Sequence, residues 1–537
     1  MKSSISTISV VLIFVLLSIS LVIPNDSSDF DNFLGCLHAH SNSSFPIADA
    51  ILTPYNSSFE YIYQLRASNL RTLFSATSRP VAIIAALHPS HAQATVVCTK
   101  FHGFQVRIRS GGHDFEGLSY TSDVPFIILD MFNLHSIDID IESETAWVQA
   151  GATTGELYYS IAKKSNVHGF PSGMCTTIGL GGHFSGGGYG FLMRKYGLTI
   201  DNVIDALLID ANGRILNRES MGEDLFWAIR GGGTTSFGVI LSWRIKLVRV
   251  PPMVTVFTVH RTLEQGATEI VYRWQQVAPK LPKDIFIRPQ PQPINNGPNN
   301  RTVSVSFGGH FLGKTDRLIQ LMNANFPELG LQRSDCLEMS WVESTLYWAG
   351  FPKGTSIEAL LNRVRVDRSF SKFKSDYYKA VIPKQGLETL WEALMDIEDI
   401  FIQMNPYGGR MEEISESETA FAHRNGILFM MLYGVTWSES DGGVNAAARH
   451  FELSRRLYNL MEQYASSNPR EAFLNYRDLD IGSNKSGETD FEVAKEYGAK
   501  YFKNNFIRLA NVKAMIDPEN FFRNEQSIPP LPMLATH

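Results

Sequence analysis

Three glycine clusters fall inside one stretch of alternating strand-like and helix-like sequence. They are Gly111–Gly112 in RSGGHDFEGLSY, Gly179 to Gly190 in GFPSGMCTTIGLGGHFSGGGYG, and the run RGGGTTSFG from Arg230 to Gly238. One such cluster usually marks a tight turn. Glycine also lets a flat or anionic ligand reach main-chain N–H groups that a β-carbon would shield, and successive N–H groups form an anion-binding concavity. Three clusters in one unit therefore point to an extended cofactor. None follows G-x-G-x-x-G in a strand–turn–helix setting, which disfavours a nicotinamide-type Rossmann domain.

The surrounding sequence sets the fold class. RPVAIIAALHP reads as a strand, SHAQATVVCTKFHG as a helix with Ser90 at its N-cap, and FQVRIRSGG as a second strand ending in glycine. Further strands are predicted at PFIILDM, TAWVQAGA, IDALLIDANGRIL and FGVILSWRIKLV, with a helix at TTGELYYSIAKKS. The reading is α+β. VPPMVTVFTVHRT marks a boundary near Pro251, after which strands such as TVSVSFGGHFLG and helices such as GLETLWEALMDIED form a second domain suited to shaping a substrate site. The tail, YFKNNFIRLANVKAMIDPENFF, reads as one helix followed by a short helical turn that must dock to bury its aromatics.

With 537 residues, 44% of them hydrophobic, the chain can build more than one core. A formal charge of −6 and the lack of a basic run argue against a nucleic-acid partner and for a small, largely apolar one. The apolar run from about Val10 to Ile23, after a single lysine and before polar sequence, reads as a secretory signal cleaved between Ser20 and Ser28. It is too short for a membrane span. Sequons at Asn42, Asn56, Asn300 and Asn484 fit export, so the secretory pathway and then the apoplast or vacuole are the expected destinations. Of the four cysteines, Cys36 and Cys98 are the preferred disulfide pair. Cys336 is read as a small buried hydrophobe, and Cys175 needs another role.

RSGGHDFEGLSY, GFPSGMCTTIGLGGHFSGGGYG, DLFWAIRGGG, YGGRMEEISES, NYRDLD and IDPENFFRNEQSIPP together resemble the berberine bridge enzyme-like plant flavoproteins, over nearly the whole mature chain. The resemblance implies a vanillyl-alcohol-oxidase-type fold in which the N-terminal domain and the tail hold FAD and the middle domain covers its reactive face. The segments expected are 1–28 signal, 29–74 N-terminal segment, 75–252 FAD domain, 253–470 substrate domain and 471–537 returning tail. It also implies bicovalent FAD, with His113 joined to the flavin 8α-methyl and Cys175 to C6. The cofactor is expected to be contacted by Arg109, Ser110, Gly111, Gly112, Ser119, Gly173, Thr176, Gly179, Gly182, His183, Gly187 and Val239, with no metal. From the residues alone, His113 would be read as structural.

Tyr476 and Tyr189 match active-site tyrosines of the family, and Arg288 in DIFIRPQPQP lies on a strand that can reach the pocket to bind a phenol or carbonyl oxygen. The segment HRNGILFMMLYGVTW departs from the pattern: Met430 and Leu432 stand where relatives carry charged or amide side chains, and Asn405 stands where some cyclising members have tyrosine. Ile178 resembles a position that gates oxygen. The leading expectation is an FAD-linked oxidase of a phenolic or alkaloid-like metabolite, reoxidised by O2. A redox-neutral Diels–Alder cycloaddition of prenylated polyphenols is the second reading, and a flavin-retaining binding protein the third. The apolar Met430–Met431–Leu432 run argues against a sugar substrate.

Overall fold

The computed structural model describes residues 27–532, apart from 77, 296–300, 366, 398–399 and 486. The signal segment and the sequon at Asn300 lie outside the described residues. A four-stranded sheet runs in the order Ile51–Leu52, Ala82–Ala85, Phe126–Asp130, Gln105–Arg109, and its last three strands are parallel. The helix Pro89–Phe101 makes the crossover between Ala82–Ala85 and Gln105–Arg109. Phe126–Asp130 is buried on both faces, as an internal strand of a covered parallel sheet must be, which explains its unbroken apolar run. The crossover helix starts two residues earlier than expected: His88 is the N-cap, its Nδ1 accepting from Ser90 N–H, with Pro89 at the first helical position where its missing N–H costs nothing.

Five antiparallel strands follow in the order Ile137–Asp140, Thr145–Gln149, Val239–Lys246, Val203–Ile209, Ile215–Leu216. The helix Thr154–Lys164 is fixed at its start by a capping box between Thr153 and Glu156. One hydrophobic core joins both sheets to the tail, with Phe184, Trp243, Phe226, Leu509 and Phe522 among its members.

A second core lies under two antiparallel sheets. The first orders Ile285–Asn295, Arg301–Phe311, Val254–Thr262 and Cys336–Met339; the second orders Phe370–Tyr378, Phe429–Trp437 and Ile400–Pro406. The junction between the two cores is polar and buried. Arg194, 1% exposed, donates to the carbonyls of Tyr407, Pro279, Leu281, Pro282 and Ile285, so one guanidinium ties its segment to the start of the strand that carries Arg288.

The tail corrects the sequence expectation. It forms two helices, Phe491–Phe502 and Asn505–Ile516, broken where Lys503 takes φ 51°, and only a turn follows the second. Lys513 inserts its ammonium between the Ser236 carbonyl, Asp517 and the Phe522 carbonyl, and burial pulls it down to about 8. Gly232 lies where a β-carbon would strike Leu509, and Gly231 where it would strike Phe421. The third glycine cluster thus serves tail and loop packing in part.

Cys36 and Cys98 are bridged, pinning the helix Ser27–His40 to the crossover helix. The bridge closes a 62-residue separation. In the chain-entropy model it stabilises by roughly 4 kcal/mol. Reduction is expected to lower the melting temperature measurably; an unchanged Tm, read by scanning calorimetry with and without reductant, would contradict this. Cys336 is free, but half-buried rather than buried: it sits on the edge strand Cys336–Met339 with its thiol toward the Gln332 carbonyl. Asn484 is buried, 6% exposed, with its Nδ2 donating to Tyr497 Oη and its Oδ1 accepting from Asp490 N–H. Asn42 and Asn56 are exposed.

Candidate active site

The glycines of the first two clusters bring two loops together. A β-carbon on Gly111 would run into the backbone of Gly179, and one on Gly179 into Ser110 and Gly111, so the loops pass main chain against main chain. Gly112 has φ +68°, and a β-carbon there would meet the Arg66 carbonyl. This contact brings His113 and Cys175 to one point: His113 Nε2 lies 3.0 Å and Cys175 Sγ 3.5 Å from Thr177 Oγ1. Burial, reinforced by Arg365, pushes the His113 imidazole down to about 3, so it stays neutral.

Both residues open on a cavity of about 850 Å3 between the two cores. Ser110, Gly111, Gly112, Ser119, Gly173, Thr176, Ile178, Gly179, Gly182 and His183 line it too. Gly173 N–H donates to His183 Nε2 at 3.1 Å, which places the imidazole proton on Nδ1, and burial holds this ring at about 4.

Three expected cofactor contacts fall elsewhere. Arg109 is fully buried away from the cavity, paired with Asp130 and donating to the carbonyls of Ile62 and Tyr63, because the buried Asp130 carboxylate needs a counter-charge. Gly187 packs against Phe421 and Phe473, where its φ of +128° is needed for the turn. Val239 points into the core, and Ile240 lines the cavity in its place, since neighbouring strand residues face opposite sides.

At the substrate-facing side, Tyr189 and Tyr476 share a short hydroxyl–hydroxyl bond. The Tyr476 ring stacks on Phe115 at 5.6 Å. Arg288, 3% exposed, donates from Nε to Asn405 Oδ1 at 2.7 Å, contacts Met174 Sδ, and lies 4.7 Å from the centre of the Phe191 ring. Turned with its oxygen inward, the Gln403 amide accepts from the same guanidinium. Among the described residues, each of these partners of Arg288 is neutral. Asn405 is thus buried and orients Arg288, Leu432 lines the cavity, and Met430 sits deeper, against the Tyr377 and Tyr407 cluster.

Burial, then the adjoining Tyr189, holds the Tyr476 hydroxyl well above the usual phenol range, and Arg288 acts in the opposite direction. Burial likewise raises Tyr189, again opposed by Arg288. If the deprotonated pair is the working form, turnover rises with pH through its titration. Arg288→Met removes the opposing field and should move that rise to higher pH; an unmoved pH–rate profile would show that Arg288 does not act on the pair.

Several lining residues lie inside motifs quoted from the sequence, NYRDLD and IDPENFFRNEQSIPP, but were not singled out there as contacts. Asn475, Arg477, Arg523 and Asn524 come from the tail, more than 280 residues after Gly182. Asn475 Nδ2 donates to the His183 carbonyl, and Gly186 is glycine where a β-carbon would strike Asn475 Oδ1. Phe115, Trp348, Phe373, Phe401 and Gln403 complete the walls. FAD fits this residue set: two loops stripped of β-carbons flank the cavity, and the buried Ser119 hydroxyl and Arg477 Nη1 lack hydrogen-bond partners among the described residues.

Comparison with known proteins agrees. Residues 80–218 match the FAD binding domain family and residues 472–529 the berberine and berberine-like family. Berberine bridge enzyme-like 17 of Arabidopsis thaliana is 53% identical over 96% of this chain and 98% of its own length. Monolignol oxidoreductase AtBBE-like 13 of the same plant is 50% identical over 96% of each. The solved structure of wild-type Phl p 4.0202, a glucose dehydrogenase, superposes with a TM-score of 0.87 at 41% identity, covering 94% of this chain and 100% of that one. The chain belongs to the berberine bridge enzyme-like family of FAD-linked oxidoreductases.

Proposed function

We propose that this protein oxidises an aromatic alcohol or phenol of plant secondary metabolism, with FAD attached at His113 and Cys175 and molecular oxygen as final acceptor. The observation that carries the reading is the composition of the substrate side of the cavity. Phe115, Phe373, Phe401, Leu432 and Trp348 offer apolar, largely aromatic walls, and Tyr189, Tyr476, Arg288 and Gln403 concentrate the polar groups. An aryl ring fits that division; a sugar, polar all round, leaves hydroxyls against the phenylalanines. The similarity to a relative named as a monolignol oxidoreductase supports the same class.

When bound, FAD supplies a two-electron acceptor, and the chain's residues supply the rest. Ser119, Arg477, Arg523 and the cluster glycines would hold it, with His113 and Cys175 as the attachment points. Phe115 and Phe373 set the substrate ring, Arg288 draws a substrate oxygen toward the tyrosines, and the Tyr476–Tyr189 pair, in the fraction that has already lost one proton to solvent, takes the hydroxyl proton at Tyr476 Oη. Ile178, on the cavity wall, controls oxygen access. Export through the secretory pathway is part of the proposal.

One observation favours a second reading. Burial keeps both tyrosines protonated at neutral pH. Two phenol donors and a buried guanidinium without a carboxylate suit polarisation of a carbonyl dienophile, as a redox-neutral cycloaddition requires. The test is a panel of cinnamyl-type alcohols and prenylated phenols offered with and without oxygen. Oxidation with stoichiometric peroxide supports the first reading, and product formed equally without oxygen, with no peroxide, overturns it.

A further inference from the structure

Behind the Gly173–Met174 segment lies a second chamber of about 30 Å3, which shares Gly173, Met174 and Trp348 with the main cavity. That volume holds about one water, and a water stays only where polar groups meet it. Ser172, His310 and Trp348, all lining the chamber, each carry a buried polar atom without a hydrogen-bond partner among the described residues: Ser172 Oγ, His310 Nδ1 and Trp348 Nε1.

The proton count at these atoms can be worked out. Ser344 donates its hydroxyl hydrogen to the Trp341 carbonyl at 2.6 Å, so its oxygen accepts from His310 Nε2 at 3.2 Å. His310 is 2% exposed, and burial pushes its ring down to about 4, so it is neutral. With the hydrogen on Nε2, Nδ1 is a bare acceptor. Trp348 Nε1–H can only donate. Ser344 and Trp348 stand one turn apart on the helix Trp341–Trp348, on the face that meets His310.

We propose that this chamber binds a single structural water, which accepts from Trp348 Nε1–H and donates to His310 Nδ1, and that through it His310 and Trp348 act as positioning residues for the substrate wall. The water's second hydrogen is free for the Ser172 hydroxyl. Trp348 packs on Gly308, where a β-carbon would come within 3.0 Å of its ring, and lies 4.4 Å from Phe191. Phe191 in turn stacks on His310 and carries Arg288 over its other contacts. Gly308 is paired with Arg288 across the sheet. Fixing Trp348 therefore fixes the wall beside Arg288.

The inference about substrate rests on the proposed oxidase reading, but the water does not. A crystal structure of the holoprotein that orders internal waters should show one density peak within hydrogen-bonding distance of both His310 Nδ1 and Trp348 Nε1. A dry chamber, or Trp348 Nε1 bonded to a protein acceptor, overturns the proposal. In kinetics, His310→Phe, which leaves the Trp348 ring itself in the wall, should raise KM roughly three- to tenfold with kcat within about twofold, the split of lost positioning. An unchanged KM, with or without loss of kcat or of folded protein, overturns the positioning role of His310. If no substrate turns over at all, the oxidase reading has failed and the density alone decides.

Discussion

Replacing Tyr476 by phenylalanine should slow oxidation of an aromatic alcohol by roughly 10²–10⁴-fold while leaving KM nearly unchanged, the signature of a lost proton acceptor. The substitution isolates one atom. The ring of residue 476 would still stack on Phe115 and pack against Phe473, so the wall that holds the substrate survives. What disappears is the hydroxyl bonded to Tyr189. Tyr189 would be left with a buried hydroxyl near Arg288 and no phenol partner, so some loss of stability should accompany the kinetic effect, of order 1–3 kcal/mol. Steady-state rates measured as peroxide release, together with a melting curve, separate the two. A loss smaller than about tenfold, with product formed at the parent rate in the absence of oxygen, would count against oxidation and for the cycloaddition reading.

The second large effect concerns the cofactor. Acid-precipitated protein should remain yellow, because the covalent attachment proposed at His113 and Cys175 would survive denaturation. His113→Ala and Cys175→Ala should each still precipitate yellow, held by the other residue, and the double variant should release all colour to the supernatant. The geometry behind this is the convergence of the two side chains on Thr177 Oγ1 from separate loops. Because the cavity lies between the two cores and is closed in part by the tail, a ligand there binds the native state and not the unfolded chain, so losing it must lower stability by mass action. The double variant should melt well below the parent. Colour wholly in the supernatant of the parent protein would remove the covalent attachment from the reading; a double variant that melts with the parent would mean that cofactor binding contributes little to the fold.

Much of the scaffold was legible in the sequence because local rules act there without interference. FIILD, an apolar run between turn residues, is a buried strand. TTGELYYSIAKKS carries its own capping box, and the positions of the strands from QVRIR to VILSWRIK follow from β-branched runs between glycines. The errors occur where a local signal was outweighed. Ser90 is a good N-cap residue, yet Pro89 starts the helix two positions sooner and His88 supplies the cap. The single tail helix is two, because Lys503 adopts a left-handed conformation that no propensity announces.

The site divides in the same way. The sequence by itself determined that the chain has glycine loops able to pass close to other backbone, that His113 and Cys175 stand on them, and that its motifs are those of the berberine bridge enzyme-like family. Only the tertiary structure decided which conspicuous residues face the cavity. Arg109 turns away to neutralise Asp130, and Val239 yields to Ile240. Asn475 and Arg477 arrive from the far end of the chain. Arg288 and Asn405 meet although 117 residues separate them, because they lie on strands of two different sheets. The physical reason is that a strand's period of two and a helix cap are set by neighbours along the chain, whereas the placing of a buried charge depends on which counter-charge, carbonyl or ring the packed chain brings within a few ångströms of it.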